Sequence, residues 1–201
     1  MHRRTFLREL LSAAAATVSL AMPLPSAAVT ARQRFLRPPG AAPEAEFAAL
    51  CIRCGQCAEV CPNRCIDFFG SELGLAHLDT PYIVPREQAC ILCMKCGEAC
   101  PTDALTAIPR ELDAILAGVR MGTARVDESL CLSYQGKTCG VCYRACPLQD
   151  VAIRAGRLEQ PIVSAEHCVG CGLCERSCIQ MPQAIRVIPD QQRASTRQVA
   201  A

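Results

Sequence analysis

Four cysteine runs decide what this chain can fold around. They read Cys51-x2-Cys54-x2-Cys57-x3-Cys61, Cys90-x2-Cys93-x2-Cys96-x3-Cys100, Cys131-x7-Cys139-x2-Cys142-x3-Cys146 and Cys168-x2-Cys171-x2-Cys174-x3-Cys178. Pro62, Pro101 and Pro147 follow the first three runs, and Ile179 follows the fourth. Together the runs use sixteen of the seventeen cysteines. The rest of the chain offers little else to build on. Its 201 residues include no Trp and only 4% aromatic side chains, too few for a deep apolar core. The 51% hydrophobic fraction counts the cysteines and much alanine. Metal–thiolate bonds must therefore supply much of the folding free energy.

The spacing is that of cysteines that hold [4Fe–4S] cubanes. A four-iron cluster takes four soft thiolates, so sixteen cysteines imply four clusters. A single C-x2-C often means zinc. Four complete runs, three of them ending in Cys-Pro, specify iron–sulfur far more strongly. The tight gaps let one loop wrap three irons. The fourth cysteine, placed by its proline at the start of a helix, reaches the cluster of a paired run. Chain order pairs the first run with the second and the third with the fourth. Four-cluster subunits of molybdoenzymes instead pair first with fourth and second with third, with the same ligands.

Nothing in the chain points to catalysis. The histidines are His2, His77 and His167, and only His167 adjoins a run, where it would tune a cluster rather than ligate iron. Four protein ligands per cluster leave no iron open to substrate. No nucleophile–base pair and no phosphate-binding glycine loop is present. The expectation is an electron carrier and not an enzyme.

The runs belong to a repeat that extends beyond the ligands. After each comes a small residue and then an aliphatic one: Cys65-Ile66, Ala104-Leu105, Ala152-Ile153 and Ala184-Ile185. Val126 and Val163 each stand five residues before a run. The unit reads as strand, loop, short helix, strand. It also accounts for the seventeenth cysteine, because Cys65 occupies an alanine position and is expected to be a small buried hydrophobe.

The expected fold is α+β: two fused bacterial two-cluster ferredoxin-like halves with little regular secondary structure. Residues 48–108 hold modules one and two, and 126–189 hold modules three and four. Between them, 109–125 reads as a connecting helix and loop, with Leu112, Ile115, Leu116 and Val119 on one face packed over the junction. Residues 66–89 read as a long loop with a short strand at Tyr82-Ile83-Val84. Residues 29–47, rich in proline, read as linker, and 190–201 as a polar tail.

The N-terminus reads as an address. Arg3-Arg4-Thr5-Phe6-Leu7-Arg8 is followed by an apolar stretch from Leu10 to Leu24 and by Ser26-Ala27-Ala28. This is the pattern of a twin-arginine export signal over residues 1–28. The apolar stretch is interrupted by Pro23 and falls short of the roughly 20 residues of a spanning helix. In an oxidising compartment free cysteines pair. Twin-arginine export moves folded proteins, so clusters built in the cytoplasm would survive the crossing. Removing residues 1–28 leaves eighteen basic and eighteen acidic side chains. Four clusters with their thiolates would add about −8, which excludes a nucleic-acid partner.

The chain resembles the NapG/MauM ferredoxin-type proteins. The resemblance rests on the twin-arginine start, the four runs and the irregular third run. Its most specific segment is Met121-Gly122-Thr123-Ala124-Arg125-Val126-Asp127, then Cys131-Leu132, Gly136, Cys139, Cys142-Tyr143 and Cys146-Pro147-Leu148. Arg37-Pro38-Pro39-Gly40-Ala41 and Phe47 fit as well. The resemblance implies a periplasmic protein with four [4Fe–4S] clusters, exported by the twin-arginine translocase. Its electrons would come from a membrane-bound polytopic quinol-oxidising iron–sulfur protein (NapH/MauN-like) and pass to a periplasmic redox acceptor. That acceptor would belong to a nitrate reductase or methylamine-utilisation system, and the even gaps of the second run lean towards the methylamine branch. Two other roles fit the same cysteines: the iron–sulfur subunit of a molybdenum oxidoreductase, and a maturation factor for a periplasmic enzyme.

Overall fold

The computed structural model describes residues 35–71 and 74–190. The proposed signal over residues 1–28 and residues 191–201 of the tail lie outside them. Regular elements are few and short, as in a small ferredoxin-like fold. They are α1 (Glu44–Leu50), α2 (Gln56–Glu59), β1 (Asp67–Phe68), β2 (Pro81–Tyr82), α3 (Lys95–Glu98), α4 (Leu112–Gly118), β3 (Gly122–Val126), α5 (Val141–Ala145), β4 (Ile153–Ala155), β5 (Pro161–Val163), α6 (Leu173–Ser177) and β6 (Ile185–Pro189), with a short 3-10 turn at Arg157–Glu159.

The strands pair in a pattern that each half repeats. An inner ribbon joins the segment after a half's first run to the segment before its second. In the first half β1 pairs antiparallel with β2, Asp67 opposite Tyr82. In the second, β4 pairs with β5, Ile153 opposite Val163. An outer ribbon joins the segment before a half's first run to the segment after its second. In the second half this is β3 on β6, from Gly122 opposite Pro189 to Val126 opposite Ile185. In the first half it shrinks to one bridge, Ala41 to Leu105. Proline explains the contraction, since Pro38, Pro39 and Pro43 have no N–H to give a ladder.

That bridge overturns the linker reading of residues 29–47 for its described part. Within residues 35–47, Ala41 takes the place of β3, and Leu36, Arg37 and Phe47 are buried. Leu36 bridges Ile83 through two 2.8 Å backbone hydrogen bonds. Phe47 on α1 is 0% exposed, burial worth about 1.5–3 kcal/mol. Arg37 is also buried, stacked 4.4 Å from the Phe47 ring centre. Its guanidinium forks onto the Glu44 carboxylate, with Nε to Oε2 at 2.9 Å, and donates to Thr80 Oγ1 at 3.0 Å and Pro81 O at 2.7 Å. One cation thus ties α1 to β2 where a ladder is missing. Proline-rich sequence looks like linker because it lacks strand periodicity; here the side chains do what the backbone cannot.

Two further expectations change. The strand in 66–89 is Pro81–Tyr82, and its partner Asp67–Phe68 lies in the stretch read as loop. In α4 the buried side chains are Ile115 and, just past the helix, Val119, while Leu112 is 49% exposed. The connecting segment 109–125 also runs into β3, which begins at Gly122.

Within each half the short helices pack in pairs, α2 on α3 and α5 on α6. The halves meet at a polar backbone seam. Cys90 N–H donates to Cys171 O at 2.9 Å. Arg86 Nη1 donates to the carbonyls of Glu175, Arg176 and Cys178 at 3.2, 3.0 and 2.9 Å, a cation on the last carbonyls of α6. Arg176 returns a hydrogen bond to Glu87 O.

Candidate metal centres

Each run builds its loop with the same backbone device. The residue after the second cysteine is left-handed in all four runs: Gly55, Met94, Gly140 and Gly172, with φ of 77°, 62°, 60° and 86°. It turns the loop sharply into α2, α3, α5 or α6, which carries the third cysteine. The residue before the second cysteine is left-handed too in three runs, at Arg53, Leu92 and Gly170. The longer gap of the third run dispenses with it.

The helices fall in a different place from the one expected. The third cysteines Cys57, Cys96, Cys142 and Cys174 sit on the helices. The fourth follow them: Cys146 and Cys178 are the C-cap residues of α5 and α6, and Cys61 and Cys100 come directly after the C-caps of α2 and α3. Cys-Pro therefore ends a helix rather than opening one. Proline serves either role, at the first turn or just past the C-cap, and sequence alone does not distinguish them.

All sixteen predicted cysteines are brought together in fours, around four cavities. Site 1 gathers Cys51, Cys54 and Cys57 of the first run with Cys100 of the second. Site 2 gathers Cys90, Cys93 and Cys96 with Cys61. Site 3 gathers Cys131, Cys139 and Cys142 with Cys178, and site 4 gathers Cys168, Cys171 and Cys174 with Cys146. Each run gives three sulfurs to its own cavity and the fourth to its neighbour's. Of the two pairings that the sequence left open, this is the chain-adjacent one.

The cavities suit the cluster chemistry of these donors. Their walls are apolar, among them Val169 and Val187 at site 4 and Ile83 and Met94 at site 2; Arg53 at site 1 is the one charged lining residue. All seventeen cysteines are free. Among the described residues no three His, Cys, Asp or Glu side chains converge to hold a single metal ion. Four soft donors spread around an apolar-walled cavity match a multi-iron cluster better than a lone zinc.

Electrostatics carry the same message. Burial pushes Cys57 up to about 11, with Cys51, Cys54 and Cys100 adding to it. Burial likewise takes Cys96 to about 12, Cys142 to about 11 and Cys171 to about 12, and holds Cys146 and Cys174 up. Thiols so crowded and desolvated need a positive centre before they all ionise. The cross-site repulsions trace the neighbours. Cys57 of site 1 acts on Cys96 of site 2, Cys90 of site 2 on Cys171 of site 4, and Cys142 of site 3 on Cys174 of site 4. Site 1 therefore neighbours site 2, site 2 neighbours site 4, and site 4 neighbours site 3.

Backbone N–H groups also aim at the sulfurs. Leu92 N–H reaches Cys90 Sγ and Ala124 N–H reaches Cys168 Sγ, each at 3.4 Å. Gly55, Gly140 and Gly172, recurring at one place in three runs, were the readable sign of the loop geometry. His167 bonds Ser164 Oγ at 2.9 Å, and His77 lies 3.4 Å from Glu44 Oε1, so both have local partners.

The chain matches the 4Fe-4S dicluster domain family over residues 50–104 and 89–150, and the 4Fe-4S binding domain family over 165–178. It is 40% identical over 200 residues to the ferredoxin-type protein NapG of Escherichia coli, covering 93% of this chain and 85% of that protein. It is 38% identical over 172 residues to the methylamine utilization ferredoxin-type protein MauM of Methylorubrum extorquens, covering 79% and 74%. The chain belongs to the NapG/MauM family of ferredoxin-type proteins. A second MauM, of Paracoccus denitrificans, is 36% identical over 166 residues, covering 78% of this chain and 72% of that protein. As a NapG/MauM protein the chain is a [4Fe–4S] protein of the ferredoxin type. The dicluster match over 89–150 spans the second and third runs, whereas the cavities join the third run to the fourth. Linear matching groups consecutive runs; the exchanged fourth cysteines identify the spatial pair.

Proposed function

We propose that this chain is a periplasmic electron carrier, not an enzyme, with four [4Fe–4S] clusters held by the sixteen cysteines of sites 1 to 4. The observation that carries this reading is the exchange of fourth cysteines, which gives each of four cavities three thiols of one run and the fourth thiol of its partner run. Bound clusters supply one-electron acceptance and release. The chain's part is to hold them in line, exclude water with apolar walls and direct N–H groups at the sulfurs. Electrons come from a membrane-bound polytopic quinol-oxidising iron–sulfur protein and leave to a periplasmic oxidoreductase system. The twin-arginine motif at Arg3-Arg4 supports export of the folded, loaded protein.

The acceptor is a nitrate reductase or methylamine-utilisation system. The even gaps of the second run favour the methylamine branch, but identities of 40% to a NapG and 38% to a MauM give that branch no advantage. Anaerobic purification followed by iron analysis tests the cluster count, with about 16 irons expected per chain. A value near 8 would overturn it. Reduction of the loaded protein by quinol in vesicles bearing the membrane partner tests the route, and no reduction would overturn that.

A further inference from the structure

Cys65 occupies an alanine position of the repeat, and its surroundings give it more to do. The four residues at that repeat position, Cys65, Ala104, Ala152 and Ala184, are all buried, at 3%, 1%, 3% and 3% exposure. Each also lines a cavity, the one that receives the fourth cysteine of its own run. In three sites a methyl group therefore faces the cavity, and in site 2 a thiol does. Cys65 Sγ stands 3.6 Å from Cys61 Sγ and also hydrogen-bonds Cys90. Site 2 thus has five cysteines on its wall where each of the other three has four.

We propose that Cys65 is a positioning thiol of site 2 that donates S–H hydrogen bonds to ligand sulfurs and raises that site's reduction potential. The inference rests on the four-cluster reading above. Cys61 and Cys90 bound to iron are thiolates and can only accept, so Cys65 is the donor. Reduction adds negative charge to the cluster, and a donor at its sulfurs favours the more negative state. The contact is a side-chain one, so substitution can remove it while the backbone donor from Leu92 stays. Thr102 Oγ1, 3.6 Å from Cys100 Sγ, is the comparable side-chain donor at site 1, from a different repeat position.

The test is redox titration of the loaded full chain, followed by paramagnetic resonance, with site 2 assigned from the signal missing in Cys93→Ser. Cys65→Ala installs the residue of the other three modules. It is expected to keep wild-type iron and to disfavour reduction of site 2 about tenfold, which is 59 mV for one electron, with the other sites unmoved. Cys65→Ser retains a donor and is expected to recover part of that shift. Unchanged potentials in Cys65→Ala would reduce Cys65 to filler and overturn the proposal. Loss of about four irons would make it a ligand and overturn the proposal equally. Too little iron in the wild-type protein would instead sink the four-cluster reading.

Discussion

The peptide N–H of Cys90 donates to the carbonyl of Cys171 at 2.9 Å, so the first cysteine of site 2 and the second of site 4 are joined by one hydrogen bond across the two halves. Site 1 exchanges cysteines with site 2, and site 3 with site 4. Spin–spin coupling in the fully reduced protein is therefore expected between sites 1 and 2, 2 and 4, and 4 and 3, and none between 1 and 3. Coupling that persists between 2 and 4 after Arg86→Ala would assign the seam to the peptide contact rather than to the arginine.

Exchanged ligands make a sharp genetic prediction. Cys54→Ser and Cys100→Ser, although in different runs, should lose the same cluster. Cys139→Ser and Cys178→Ser should likewise share a phenotype. Iron should fall from about 16 to about 12 per chain in each, with matched resonance spectra within each pair. Matching spectra for Cys100→Ser and Cys93→Ser would contradict the pairing.

Two glycines with the same φ > 0 separate backbone strain from contact. A Cβ at Gly55 would meet nothing closer than Phe68 at 3.9 Å, so Gly55→Ala should cost about 1–2 kcal/mol, the left-handed penalty alone. At Gly172 the added Cβ falls 2.5 Å from Pro85 Cβ, across the seam between halves. Gly172→Ala should therefore cost more and weaken the coupling of sites 2 and 4. Denaturation of the loaded variants under anaerobic conditions measures both.

Arg37 is buried between its acceptors on Glu44, Thr80 and Pro81 and the rings of Phe35, Phe47 and Phe69. Arg37→Ala removes the fork onto Glu44, the donor to the Pro81 carbonyl and the ring contacts, and stability should fall by about 1–3 kcal/mol. Arg37→Lys should recover part of this but not the forked geometry. A loss below 1 kcal/mol would mean that residues 35–47 are not held as described.

Removal of iron should unfold the chain, because metal–thiolate bonds supply much of its folding free energy. Loading should also weaken as pH falls. Cys57 and Cys142 are held at about 11, and Cys96 and Cys171 at about 12, so at neutral pH each must release a proton to bind iron. Reconstitution at pH 7 and pH 9 should show tighter binding at the higher value, and protons released should be countable in weak buffer.

How much of this was legible in advance follows from what spacing encodes. Donor spacing is local, so the sixteen cysteines that the cavities gather and the alanine-like place of Cys65 could be read directly. The destination of Cys100 or Cys178 is not local, since either run could have supplied its partners. Residues 35–47 misled for another reason. Their role rests on Arg37 and Phe47 burying against distant residues, and proline suppresses the alternation by which a strand is recognised. The helix start was mistaken because proline is compatible with both ends of a helix.

The exchange of fourth cysteines also sets an order of completion during synthesis. Site 2 has all its ligands once Cys96 has emerged, and site 1 waits for Cys100. Site 4 is complete at Cys174 and site 3 only at Cys178. In each half the inner centre can close before the outer one, so a chain caught midway would hold finished centres at its seam and an open one at its rim.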